Sequence, residues 1–210
     1  MRAGPAPSRM VLDGLRLSKT VWDALGEDTT MARTLDEIRD SLPDYARDLK
    51  LNLGSVLTPT GAPGLNERQI WALALATAIA SRNAAFARDI EELAKAQLDE
   101  AHLTASRAAA AIMGMNNIYY RFLHLVEDAE YGRMPARLRM NVIGSPGIDK
   151  LDFELMSLAV SAVNGCGTCV VAHERKLREH EIPREAIQSA VRIAATIHGV
   201  AGALELREAA

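Results

Sequence analysis

The sequence predicts an all-α fold. Apolar residues and alanines recur with helical rhythm over long stretches, capping residues precede several of these, and no alternating run of strand formers competes. Alanine costs little entropy in a helix and lets neighbouring axes approach, so its abundance suits tightly apposed helices. The 210 residues are 49% hydrophobic and 24% charged. They can bury a substantial core, as one domain or two small halves, and they exclude a wholly disordered chain.

Residues 1–30 read as an N-terminal extension, either an arm or a misassigned start. Gly4, Pro5 and Pro7 discourage regular structure, Val11 to Leu25 fits one short amphipathic helix with Trp22 as a packing residue, and Met31 offers a second start. A single all-helical domain is expected over 31–210. Thr34 followed by Glu37 has the spacing of a capping box for a helix to Leu42. Pro43 opens another through Leu51, and LTPTGAPGL (57–65) is the clearest loop.

Leu65 or Asn66 then precedes a long apolar helix to about Ser81, with Trp71 packed inside. Asp89 to about Met113 is expected as one helix, its apolar positions including Leu93, Ala96 and Leu103. Met140 to Lys150 reads as a loop in which Pro146 and Gly147 favour a tight turn. Asp149 or Asp152 caps the helix FELMSLAVSAV. Asn164-Gly165 interrupts it, CGTCVVAHERKLREH resumes helical character, and Ile182-Pro183 opens the last helix, through about Leu206.

WALALATAIASRN near 71–83 resembles FELMSLAVSAVNG near 153–165, and AAAAIMG ending at Gly114 resembles RIAATIHG ending at Gly199. The pattern fits two related helical halves, about 31–135 and 136–210, and equally fits alanine bias. Only the second half carries cysteines.

Lys and Arg number 24 against 27 Asp and Glu, a net charge of −3. Broad phosphate neutralisation is thereby disfavoured, so no nucleic-acid partner is expected. No run reaches the ~18 uninterrupted apolar residues of a membrane span. Asp13, Arg16 and Lys19 fall where a secretory apolar region would lie, so a cytoplasmic location is expected. GSPGI (144–148) is a turn and not a dinucleotide fingerprint. No bound NADH or flavin is expected, and reducing equivalents must come from another protein or a dithiol.

The chemistry concentrates in one segment. The chain has two cysteines, Cys166 and Cys169, too few for a disulfide scaffold and spaced for metal binding or redox use. They lie one helical turn apart, just after Asn164-Gly165. A thiol at a helix start meets unsatisfied N–H groups and the positive end of the macrodipole, both favouring thiolate. His173 is four residues beyond Cys169 on the same helical face, within reach of proton exchange. Glu154, on the preceding helix, can fold back across the turn to orient that ring.

Zinc would need four ligands from the cysteines, His173 and either Glu154 or His180, so redox use is the stronger reading. His198 reads as a packing or interface histidine, and His102 and His124 as hydrogen-bonded surface or interface groups. His180 is expected at a helix end. Asn116-Asn117 and Tyr119-Tyr120 border the site or an interface. Glu174-Arg175-Lys176 and Arg178-Glu179 read as a solvated mixed-charge face.

The runs AAIMGMNNIYYR (110–121) and LRMNVIGSPGIDKLDFELMSLAVSAVNGCGTCVVAHERKLRE (138–179), with SLPDYARDLKLNL (41–53), closely resemble the alkyl hydroperoxide reductase AhpD family, in the carboxymuconolactone decarboxylase-like superfamily. The likeness covers about residues 31–206. It implies an AhpD-like assembly of all-helical protomers, typically a homotrimer, with weak peroxidase activity and the ability to reduce the peroxiredoxin AhpC. Electrons would arrive from dihydrolipoamide carried by a dihydrolipoyl acyltransferase, recharged by a lipoamide dehydrogenase using NADH.

Residue by residue, the family pattern makes Cys169 the peroxide-attacking thiol that becomes sulfenic acid. Cys166 becomes the proton donor and resolving thiol, and Glu154 and His173 the proton relay. A thioredoxin-like pair would attack with its first cysteine, but the spacing to His173 favours Cys169. One departure stands out. Well-known members carry a histidine inside the CxxC, where this chain has Thr168, which cannot titrate. The expected function is an antioxidant dithiol oxidoreductase acting on organic hydroperoxides, on a peroxiredoxin disulfide, or on both. The alternatives are a carboxymuconolactone-type decarboxylase and a non-enzymatic, redox-regulated helical scaffold.

Overall fold

Polar caps set where the helices begin. In the computed structural model, which describes residues 32–208, the Thr34 hydroxyl accepts from the Glu37 N–H while Glu37 accepts from the Thr34 N–H, opening α1 (Leu35–Asp40). A 3-10 turn at Asp44–Ala46 follows Pro43 and leads into α2 (Arg47–Val56). In the loop beyond, a Cβ on Gly61 would fall 1.9 Å from the Ser55 carbonyl oxygen, so only glycine passes there.

A second capping box, between Asn66 and Gln69, opens α3 (Glu67–Ala80). The side chain of Asn83 caps α4 (Ala84–Ala94) and that of Asp99 caps α5 (Glu100–Leu125). Two short helices follow, α6 (Ala129–Arg133) and α7 (Asn141–Gly144). Asp149, rather than Asp152, accepts the first free N–H groups of α8 (Lys150–Val163). Then come α9 (Gly167–Glu179) and α10 (Arg184–Glu208). The described residues contain no strand. Among them no helix is long and apolar enough to cross a membrane.

One expected helix is two. Asp89 to Met113 is broken at Lys95–Asp99, where the Leu98 N–H bonds back to the Ala94 carbonyl at 2.9 Å before the Asp99 cap starts a new helix. Ala94 and Leu98 stay buried through this turn, so the apolar spacing runs on across the break and conceals it. The segment Met140–Lys150, expected as loop throughout, contains α7. The extension over residues 1–30, its Val11–Leu25 helix and Trp22 lie outside the described residues.

Two helices are buried on every side. α3 hides Ile70 and all of 72–78, and α8 hides all of 153–161. A helix apolar all round belongs in the centre of a core. α8 packs on α3, α5, α9 and α10, and α3 packs also on α4, α5 and α10. Two of the hydroxyls inside these helices bond back to their own backbone. Thr77 Oγ1 donates to the Leu73 carbonyl at 2.6 Å and Ser157 Oγ to the Phe153 carbonyl at 2.8 Å.

The helix succession also recurs. α3, α4 and α5 have 14, 11 and 26 residues, and α8, α9 and α10 have 14, 13 and 25. Each buried 14-residue helix is followed by a residue with left-handed φ, Arg82 at 66° and Gly165 at 68°. The first turn leads into Asn83. The second leads into Cys166.

Candidate active site

The turn before the cysteines is clamped from α5. Asn117 Nδ2 donates to Ser161 Oγ at 2.8 Å, and Asn117 Oδ1 accepts from Asn164 Nδ2 at 2.9 Å. Arg121 Nη1 donates to the Asn164 carbonyl at 2.7 Å, and the Cys166 N–H donates to the Ser161 carbonyl at 3.1 Å. Gly165, at φ 68°, makes the reversal that a Cβ would oppose. Cys166 thereby becomes the extended N-cap residue of α9, fully buried. Cys169 stands in the first turn, with the two Cα atoms 5.3 Å apart and the sulfurs bonded as a disulfide. Once that bond is reduced, the free N–H groups of the helix start favour a thiolate there.

Glu154 comes from the central face of α8 and is 4% exposed. Its Oε1 lies 2.7 Å from His173 Nδ1, and its Oε2 accepts from Lys176 Nζ at 2.9 Å. Burial pushes the carboxyl pKa up, but the hydrogen bonds and charges of His173 and Lys176 together outweigh it and hold the group below its ordinary value. The carboxylate is therefore ionised near neutrality, and an ionised carboxylate can only accept. His173 must present Nδ1–H to it, which leaves Nε2 for proton exchange.

Cys169 and His173 line one cavity of about 240 Å³. Met113, Tyr120, Met140 and Ile143 give it an apolar side. Asn116 and Thr168 complete its polar lining, and Cys166 is absent from it. A larger cavity of about 500 Å³, against Arg82, Asn117, Arg121 and His198, touches neither cysteine.

All four residues singled out in the sequence therefore fall within α8, α9 and the turn between them: two bonded to each other, two hydrogen-bonded to each other. Sequence reasoning missed the roles of Lys176 and Arg121, and placed Asn117 at the border of the site or an interface without a task. Lys176, read as part of a solvated charged face, is the second partner of Glu154. Asn117 and Arg121 fix the turn. Their signal was available, since Lys176 lies one helical turn past His173, and Asn117 and Arg121 are i and i+4 on one face.

His180 sits at the end of α9, where its Nδ1 lies 2.9 Å from the Lys176 carbonyl. His102 Nδ1 pairs with the Asp99 cap at 2.7 Å, and His124 is exposed in the last turn of α5. His198 is exposed, its Nδ1 3.2 Å from Ser81 Oγ, and half-buried Trp71 packs on the core. Among the described residues no group of three or more His, Cys, Asp or Glu side chains is arranged to hold a metal ion.

A cysteine pair at a helix start, backed by a buried glutamate bonded to a half-buried histidine, defines an all-helical protein with a thiol/disulfide site. Residues 129–210 match the family model described as the carboxymuconolactone decarboxylase family. An alkyl hydroperoxide reductase AhpD of Rhodospirillum centenum is 54% identical over 84% of this chain and 93% of its own length. The AhpD of Streptomyces griseus is 53% identical over 81% and 95%, and that of Coxiella burnetii 54% identical over 80% and 94%. The chain belongs to the alkyl hydroperoxide reductase AhpD family, in the carboxymuconolactone decarboxylase-like superfamily. Family and cysteine pair together make it a dithiol/disulfide redox enzyme of the AhpD type.

Proposed function

We propose that the enzyme reduces organic hydroperoxides, and the disulfide of an AhpC-type peroxiredoxin, through a Cys166–Cys169 dithiol cycle. The observation that carries this reading is that Cys169, and not the fully buried Cys166, opens on the apolar cavity beside His173. His173 takes the Cys169 proton, and the thiolate attacks the hydroxyl-bearing oxygen of the hydroperoxide. The S–O bond forms as the O–O bond breaks, giving Cys169 sulfenic acid and an alkoxide, which leaves as the alcohol with the proton returned through His173. Glu154 keeps the ring oriented and stabilises its imidazolium. Cys166 supplies its proton to the relay and attacks the sulfenic sulfur, expelling water and closing the disulfide. Two thiols and one hydroperoxide thus yield one disulfide, one alcohol and one water.

A dithiol must then reopen the disulfide. In this reading it is dihydrolipoamide on a dihydrolipoyl acyltransferase, recharged by a lipoamide dehydrogenase from NADH. The working unit is a homotrimer in the cytoplasm. A run of exposed apolar side chains past the middle of α5 and beyond, Ile118, Phe122, Leu125, Tyr131 and Met134, supports burial against another copy. The test is trapping. Reduced Cys166→Ser protein exposed to cumene hydroperoxide and dimedone acquires one adduct at Cys169 by peptide mass spectrometry. Its absence, with the thiol still titratable, contradicts the reading. A lactone decarboxylase would instead turn over with both cysteines replaced.

A further inference from the structure

One residue lining the cavity beside Cys169 carries a polar group that nothing among the described residues satisfies. Asn116 is 5% exposed, and its Oδ1 is buried without a hydrogen-bond partner among the described residues. Its neighbour Asn117 uses both ends of its amide to clamp the turn, so the contrast is local. Asn116 belongs to the same lining as Cys169 and His173, with Met113, Met140 and Ile143 around it. A native fold leaves few buried acceptors orphaned, and one carried by a residue that shares a cavity lining with a reactive sulfur calls for a ligand. The ligand must bring a hydrogen-bond donor on a small head and an apolar body.

We infer that Asn116 is the substrate-binding residue for the hydroperoxide head: its Oδ1 accepts the O–H of ROOH while the carbon body lies against the methionines and Ile143. The inference rests on the hydroperoxide-reducing reading given above. The oxygen that bears this hydrogen is the one Cys169 attacks, so the hydrogen bond aims the correct oxygen at sulfur. As the S–O bond forms and the O–O bond breaks, that hydrogen stays on the transferred oxygen, giving Cys169–SOH still bonded to Asn116. The alkoxide takes its proton through His173. An apolar molecule without an O–H leaves the acceptor unpaired and gains nothing from it.

The test uses reduced, full-length protein in single turnover, following thiol loss on mixing with cumene hydroperoxide. N-ethylmaleimide, which has no hydrogen to donate, reports the reactivity of Cys169 itself. Asn116→Leu removes the acceptor at similar volume. It should slow the hydroperoxide reaction about tenfold, the scale of one lost hydrogen bond, leave the maleimide rate unchanged, and leave the melting temperature equal or higher. Asn116→Ser, which keeps an oxygen acceptor, should fall between Leu and native and covers the case in which the leucine protein does not fold. Native hydroperoxide rates in both variants would overturn the inference, as would a parallel fall in the hydroperoxide and maleimide rates. Inert native thiols would overturn the hydroperoxide reading itself, with Asn116→Leu no different from native.

Discussion

Glu154 Oε1 and His173 Nδ1 stand 2.7 Å apart, joining the buried helix α8 to the face of α9 that borders the cavity. The pair fixes which ring nitrogen carries the fixed proton, and so leaves Nε2 as the one that can exchange a proton. His173→Gln should lower kcat/KM for cumene hydroperoxide at least ~100-fold, the usual scale for a lost acid–base group. Circular dichroism should stay native. An equal loss with Glu154→Ala but a smaller one with Glu154→Gln would mark the carboxylate as an orienting group.

The same pair makes stability depend on acid. Glu154 holds its proton less readily in the folded protein than in the unfolded chain, because His173 and Lys176 outweigh its burial. The unfolded chain therefore binds the proton first as pH falls. The contribution is complete above the ordinary glutamate value, about 4.3, and is lost as pH drops below it through the lowered folded value. Denaturant unfolding of native and Glu154→Gln proteins should give curves that converge in this acid window and separate at neutral pH.

Lys176→Met should shift that window. With one of its two cationic partners gone, desolvation weighs more and the Glu154 pKa rises. The protein should lose roughly 1–3 kcal/mol at neutral pH, the cost of an unmet bond at a buried group. Its acid transition should begin at higher pH. A stability curve superimposable on native would reduce Lys176 to a surface charge.

The turn clamp gives a structural prediction. Gly165→Ala puts a Cβ into left-handed backbone at a cost of about 1–2 kcal/mol. Asn117→Ala leaves Ser161 Oγ and Asn164 Nδ2 without their partner, at about 1–3 kcal/mol. Both should also slow disulfide closure after oxidation, because the turn sets where Cys166 meets Cys169. Urea unfolding and quenched-flow thiol counting would measure the two effects separately.

Much of this was legible in the chain because the signals were local. The Thr34–Glu37 capping box, the Asn164-Gly165 break and the one-turn spacing of the cysteines need only helix geometry to read, and Glu154 and His173 meet where that geometry brings them. The break at Lys95–Asp99 was hidden because Ala94 and Leu98 remain buried through it, so apolar rhythm reports burial and not hydrogen bonding. Lys176 is exposed, as read, but its bond to Glu154 was not legible because its charge sits among Glu174, Arg175 and Arg178, and only the fold shows which of these meets the carboxylate on α8. Asn116 and Asn117 are adjacent and identical in type. That one clamps a turn and the other borders a cavity follows from their faces on α5, which pairwise sequence patterns do not assign to particular neighbours.

The most direct measurement is steady-state reduction of cumene hydroperoxide with dihydrolipoamide as the electron source, for native, Cys166→Ser and Cys169→Ser proteins. The dithiol cycle predicts turnover by the native protein and none above background by either variant, with a sulfenic acid accumulating only in Cys166→Ser. Sustained turnover by Cys169→Ser, or none by a folded and fully reduced native protein, would contradict it.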